Sequence, residues 1–216
     1  MTPYYADALV TLYHGDCREI LPHLQPDTIV TDPVWPNARP DLFGSDDPAA
    51  MFSAMWLACA DLPKRAAVQL GCDTDPRFLL AVPPQMLFFR VAWLEIVRMG
   101  YKGRLGMTGD VGYLFGTPPP PRPGQHIIPG RCTDPDPSGQ TPGHPTPRKF
   151  RHVQWLVHWW SAPDDLVVDP FAGGGTTLHA AKYLGRRAIG VEIEERYCEA
   201  AAERLSRQTA PLEVPA

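Results

Sequence analysis

No stretch of the chain approaches the ~18 consecutive apolar residues that a membrane-spanning helix requires, which excludes a helical membrane protein. The segment Met1 to Asp7 lacks the basic start and the apolar run of a secretory signal, so a cytosolic protein is expected. Cysteine is scarce: Cys17, Cys59, Cys72, Cys132 and Cys198 are odd in number and scattered, with no C-x-x-C pair. That spacing speaks against a zinc site and a disulfide scaffold and leaves reduced thiols. Positive charge is short as well. Twenty Lys and Arg face 24 Asp and Glu for a formal charge of -4, whereas a protein that grips many phosphates is usually basic. What remains is a globular composition, 44% hydrophobic and 20% charged, over 216 residues, which is room for one domain.

The charge is unevenly spread. Between Gln85 and Trp160 nine basic residues stand against four acids, so the middle of the chain offers either an ordinary solvated face or a surface to a polyanion. Proline is abundant, at 26 residues, and concentrates between Thr117 and Pro147. With glycines at 124, 130, 139 and 143 that stretch has neither helical nor alternating pattern, and it is expected as a long Pro/Gly-rich loop around 117–147 inserted into a single domain spanning 1–216.

Short apolar runs alternate with helix-length segments on either side. Strands are expected at Leu9 to Tyr13, Thr28 to Val30, Ala66 to Leu70, Leu87 to Trp93, Val111 to Phe115, Leu166 to Val168 and Ala188 to Val191. Helices are expected at Arg18 to Leu24, Ala49 to Ala60, Arg148 to Trp160, Thr177 to Leu184 and Glu195 to Arg207. This alternation predicts an α/β fold, Rossmann-like, with a mostly parallel twisted sheet flanked by helices and ligands at the carboxyl ends of its strands.

Four segments carry chemistry. In Val167 to Thr177 an apolar strand ends in Asp169-Pro170-Phe171, three glycines (Gly173, Gly174, Gly175) let the backbone bend under a ligand, and Thr176-Thr177 open a helix. No Lys follows the glycines and the spacing is not G-x-G-x-x-G, so neither a phosphate-gripping loop nor a dinucleotide fingerprint is present. Glu192 ends the next strand 23 residues after Asp169, where a βαβ unit places a carboxylate for ribose hydroxyls. In Thr31-Asp32-Pro33-Val34-Trp35, a carboxylate at a strand end, a backbone carbonyl and an indole could bind a flat ring bearing an amino group, although a proline-rich turn with a partly buried Trp is as good a reading of that segment alone. In His144 to Lys149, Thr146 suits an N-cap and Pro147 a first helical position, and the helix start would favour a carboxylate. The fourth segment, Gly15-Asp16-Cys17, is a strand-to-helix corner with an acid that could accept from an adenine amino group.

Together the segments resemble the S-adenosylmethionine-dependent amino-methyltransferases of DNA. Their cofactor motif is similar to Asp169 to Thr177, their catalytic D-P-P-(Y/F/W) to Asp32 to Trp35, their H-P-T-x-K-P helix start to His144 to Lys149, and their G-D-C corner to Gly15 to Cys17. The order, catalytic motif before glycine loop, resembles the permuted group called beta. Two departures stand out: Val34 replaces the usual second proline, and Arg148 and Lys149 occupy the places of the usual lysine and proline. The resemblance implies Asp32, Pro33 and Trp35 as catalytic residues. It implies S-adenosyl-L-methionine held by Asp16, Cys17, Thr31, Asp32, His144, Thr146, Arg148, Asp169, Phe171, Gly173, Gly175, Thr176, Thr177 and Glu192, with no metal. The implied partner is double-stranded DNA in a bacterial or phage-infected cytoplasm, methylated site-specifically as in restriction-modification; relatives with this order are often dimeric, so a homodimer is open.

Methyl transfer to an aryl amine needs its lone pair freed from the ring. Asp32 and the Pro33 carbonyl would each accept an amine hydrogen, and the base would be flipped out onto Trp35. No cysteine follows a proline, so the covalent route of cytosine-C5 enzymes is absent. Asp as first residue of the tetrapeptide resembles the adenine-N6 type. The alternatives are N4-cytosine, RNA or a small amine as acceptor, and a catalytically silent nucleic-acid-binding relative. Base recognition is expected from Tyr101-Lys102-Gly103-Arg104 and the Pro-rich loop.

Overall fold

A computed structural model describes residues 1–36, 46–135 and 148–208. Among them lie strands β1 (Tyr5–Ala6), β2 (Val10–His14), β3 (Thr28–Thr31), β4 (Arg65–Gly71), β5 (Phe88–Lys102), β6 (Leu105–Gly116), β7 (Arg131–Asp134), β8 (Leu166–Asp169) and β9 (Arg187–Glu192). The helices are α1 (Cys17–Ile20), α2 (Pro48–Ala58), α3 (Phe150–Trp160), α4 (Thr176–Tyr183) and α5 (Glu195–Arg207). The strands form one sheet in the order β1-β2-β9-β8-β3-β4-β6-β5-β7. Its centre, from β2 to β4, is parallel; β1 and the β4-β6-β5 run are antiparallel.

The parallel centre is covered on both faces, which is why β3 and β4 read as unbroken buried runs. Successive side chains serve opposite cores. Val30 and Ala67 join Leu156, Trp160, Leu178 and Leu205 on one face, while Ile29, Ala66, Val68 and Leu70 join Phe52, Met55, Trp56 and Phe78 on the other. Each large side chain removed from water contributes roughly 1.5–3 kcal/mol. A buried ion pair, Arg65 with Asp165, ties the amino end of β4 to that of β8, and Thr28 donates to the same carboxylate at 2.9 Å.

Several expectations change. The strands expected at Leu87 to Trp93 and Val111 to Phe115 extend into a long hairpin, β5 with β6, turning at Gly103 (φ +60). The described residues of its outer half are mostly exposed, and they show no apolar run. β7 arises inside the Pro-rich stretch and pairs with β5, alternating exposed and buried. The helix expected from Arg148 with a Thr146 cap begins at Phe150 instead. Lys149 is its N-cap, in extended conformation and without a side-chain cap bond, since an ammonium has no acceptor to offer the helix N–H groups. His144, Thr146 and Pro147 lie outside the described residues.

The hairpin bends where the register shifts between Glu95 and Gly100, opposite Gly109. Gly109 has φ +150, and a Cβ there would stand 1.9 Å from the Leu94 carbonyl oxygen, so the backbone itself must move to admit one. Gly109→Ala should cost about 1–3 kcal/mol in urea denaturation; an unchanged midpoint would show that the bend tolerates a side chain.

Candidate active site

Four adjacent parallel strands open their carboxyl ends on one side. β2 delivers Gly15, Asp16 and Cys17, β9 delivers Glu192, β8 delivers Asp169 and the glycine turn, and β3 delivers Asp32 to Trp35. All of these segments line a single cavity of about 350 Å³, within the usual range for a small-molecule site.

Two loops meet at its centre. Thr31 Oγ1 donates to Asp169 Oδ1 at 2.8 Å, and the Phe171 N–H donates to the same oxygen at 3.1 Å. Burial pushes the Asp169 carboxyl up to about 6, against the pull of hydrogen bonds from Thr177, Thr31 and the Phe171 N–H and with the Asp32 charge adding to the rise. Glu192 is raised by burial too, and its oxygens accept from the Gly173 N–H at 2.7 Å and the Glu194 N–H at 2.8 Å. The glycine turn is thereby tied to the neighbouring strand end. Gly173 and Gly175 have φ +50 and +74, a region that glycine enters without strain.

The rest of the cavity belongs to Asp32, Trp35 and Arg148. Arg148 Nε donates to Asp32 Oδ2 at 2.5 Å, its Nη1 lies 3.5 Å from Asp110 Oδ2, and its guanidinium carbon stands 3.7 Å from the Trp35 ring centroid. Gln69 Nε2 donates to that same Asp110 oxygen at 2.8 Å. Burial raises the Asp32 carboxyl, and Arg148 only partly offsets it. Asp32 Oδ1 and Trp35 Nε1 are both buried without a hydrogen-bond partner among the described residues; the indole N–H leans toward the carboxylate without bonding it. An unpaired buried acceptor costs about 1–3 kcal/mol, so Oδ1 is suited to a donor brought by a ligand.

Most residues singled out from the sequence come together here. Asp16, Cys17, Thr31, Asp32, Pro33, Trp35, Arg148, Asp169, Phe171, Gly173, Thr176, Thr177 and Glu192 all line the cavity. Asp16 is already engaged, capping α1 and pairing with Arg18 at 2.5 Å, and burial pushes the Cys17 thiol up to about 12. Gly175 does not line the cavity. A Cβ there would meet Ala201 of α5 at 2.8 Å, so it serves helix packing. His144 and Thr146 lie outside the described residues. Sequence reasoning missed Gln69, Met107 and Asp110. They stand on β4 and β6, whose alternation marks them only as strand residues.

An acid whose folded pKa of about 6 exceeds its ordinary 3.8 loses stability as pH climbs through that window. Asp169→Asn should therefore stabilise the ligand-free protein above pH ~6 by up to about 3 kcal/mol, the gain fading as pH falls toward ~4. Urea denaturation at stepped pH checks this, and a gain independent of pH would reject the buried charge as its cause.

Comparison with known proteins agrees with this geometry. A family described as DNA methylase, the N6/N4 type, matches residues 52–203, well over half of the chain. YubD of Escherichia coli (strain K12), named as a methylase, is 43% identical over 63 residues, 29% of this chain and 28% of its own length. The type II methyltransferase M.EcaI of Enterobacter cloacae is 48% identical over 50 residues, 23% of this chain and 11% of its own. The matches thus span a minor part of these relatives. Among solved structures, the M1.HpyAVI complex with SAM superposes at TM-score 0.70 with 21% identity, covering 91% of this chain and 99% of that one. The cytosine-N4-specific PvuII DNA methyltransferase gives 0.68 with 19% identity over 94% of this chain and 88% of its own. Those two likenesses speak to the fold alone, and it is the match over residues 52–203, the segment holding the glycine turn, Glu192 and Arg148, that establishes that this chain belongs to the N6/N4 DNA methylase family.

Proposed function

We propose that the chain, acting as one domain, transfers a methyl group from S-adenosyl-L-methionine to the exocyclic N6 of an adenine flipped out of duplex DNA. The observation that carries this reading is the unpartnered, buried Asp32 Oδ1 beside the Trp35 indole, in the same cavity as the glycine turn and Glu192.

When bound, the cofactor supplies an electrophilic methyl on a positively charged sulfur. The residues present suit it: Glu192 offers acceptors toward ribose hydroxyls, Gly173 and Gly174 let a ligand approach the backbone, and the acids Asp32, Asp169 and Glu192 favour a cation. Asp32 and the Pro33 carbonyl accept the two amine hydrogens, which directs the nitrogen lone pair away from the ring plane. Trp35 recovers part of the stacking lost when the base leaves the duplex. The acid at position 32 favours adenine over N4-cytosine, by the resemblance stated above.

Met107 of β6 lines the cavity, and the hairpin tip lies just beyond it, with Tyr101 and Arg104 exposed. On this reading the tip is the part of the hairpin that meets duplex flanking the flipped base. Lys102→Ala with Arg104→Ala should weaken binding of random-sequence duplex about tenfold at near-physiological salt, read by fluorescence anisotropy; unchanged affinity removes the tip from the interface.

The central test is radiolabelled methyl transfer onto unmethylated random-sequence duplex, with base-resolved sequencing of the product. Asp32→Ala should lower incorporation at least about a hundredfold. Incorporation that survives the substitution removes Asp32 from catalysis, N4-methylcytosine in the product reassigns the acceptor, and no incorporation by the unaltered protein supports the silent reading.

A further inference from the structure

Arg148 does at once the two things that the proposed function asks of a target base. Its planar guanidinium covers a face of the Trp35 ring at 3.7 Å, as a stacked heterocycle would, and donates an N–H to Asp32 at 2.5 Å, as an amino group would. The indole cannot turn aside to offer that face elsewhere, because its benzo edge rests on Gly71, where even a Cβ would stand 2.6 Å from the ring. While Arg148 stays, a base reaches neither that ring face nor Asp32 Oδ2.

The side chain is placed to leave. Arg148 precedes the Lys149 N-cap, outside the helical bonds of α3, so its movement unwinds nothing. Its remaining partner, Asp110 at 3.5 Å, already accepts from Gln69 at 2.8 Å and stays satisfied without it. Of the described residues lining the cavity only Arg148 and Arg204 are cationic, and Arg204 donates to Thr176 Oγ1 at 3.0 Å. A further carboxylate entering this acid-lined space needs a cation, and Arg148 is the one whose present contacts occupy the base site.

We propose that Arg148 is a placeholder for the target base and that the carboxylate of the cofactor's amino-acid end draws it off, so that the Trp35 and Asp32 base site opens only after the cofactor has bound. Arg148 is thus a positioning residue that couples the two substrates, an inference that rests on the cofactor reading above. A nucleoside carrying that carboxylate would bind before a base is accepted, and no base would be held beside an empty cofactor site.

The test uses two nucleosides that share the adenosine and sulfur but differ in the amino acid: S-adenosylhomocysteine, which carries the carboxylate, and methylthioadenosine, which lacks it. Calorimetry establishes binding of each, and acrylamide quenching of the Trp35 fluorescence, isolated by subtracting Trp35→Phe, reports whether the ring face is uncovered. S-adenosylhomocysteine should raise the Trp35 quenching constant severalfold while methylthioadenosine leaves it unchanged. In Arg148→Gln quenching should be high without ligand and indifferent to both; Arg148→Lys, which keeps the charge but not the planar stack, should start high and still bind S-adenosylhomocysteine more tightly than Arg148→Gln does. Binding of both nucleosides with no change in quenching, or an equal change with each, overturns the coupling but leaves the cofactor assignment standing. Binding of neither overturns both.

Discussion

The hydrogen bond from Thr31 to Asp169 joins two loops that the chain separates by 138 positions, and the site exists because that bond is possible. It follows from register. β3 and β8 run side by side with Thr28 opposite Val167 and Ile29 opposite Val168, so their carboxyl ends emerge together. A slip of one residue would exchange the faces of Ile29 and Val30 and swing Thr31 away from the carboxylate. The two cores forbid such a slip, since Val30 packs with Leu156 and Trp160 while Ile29 packs with Phe52 and Met55. Ordinary apolar packing on both faces of the sheet thereby fixes the distance between the glycine turn and Asp32.

Charge is organised by the same geometry. The overall charge of -4 suggests a poor partner for DNA, yet Asp32, Asp169 and Glu192 face the cavity, where negative charge suits a cationic sulfur. The positive excess of the middle segment is correspondingly less available than its count suggests. Arg148 is committed to Asp32, and Arg122 donates to the carbonyls of His158 and Ser161. Among the described side chains of that segment, Arg104, Arg131 and Arg151 are exposed.

How much of this could be read from residues alone varies with how local the cause is. The strands at Thr28 to Val30 and Leu166 to Val168, the glycine turn and the helix from Glu195 to Arg207 were legible because apolar period, glycine conformation and end signals all lie within a few residues. The outer half of the β5 and β6 hairpin was not, since it is stabilised by pairing instead of burial. The start of α3 was placed two residues early, since Arg148 and the N-cap Lys149 stand outside the helix that opens at Phe150. Asp110 and Gln69 were invisible because only strand pairing brings β6 beside β4, with Asp110 opposite Gly71.

The two departures from the expected motifs bear on each other. A second proline after Pro33 would stiffen the backbone that carries Trp35, and Val34 cannot do so. Here the indole is fixed from outside instead, its edge against Gly71 and its face under Arg148, the residue that replaces the usual lysine. A guanidinium can stack flat where an ammonium offers only a point charge, so arginine supplies a restraint that lysine would not. That restraint is conditional. A proline would hold the loop in every state, whereas Arg148 restrains Trp35 only while its guanidinium keeps its place between that ring and Asp32.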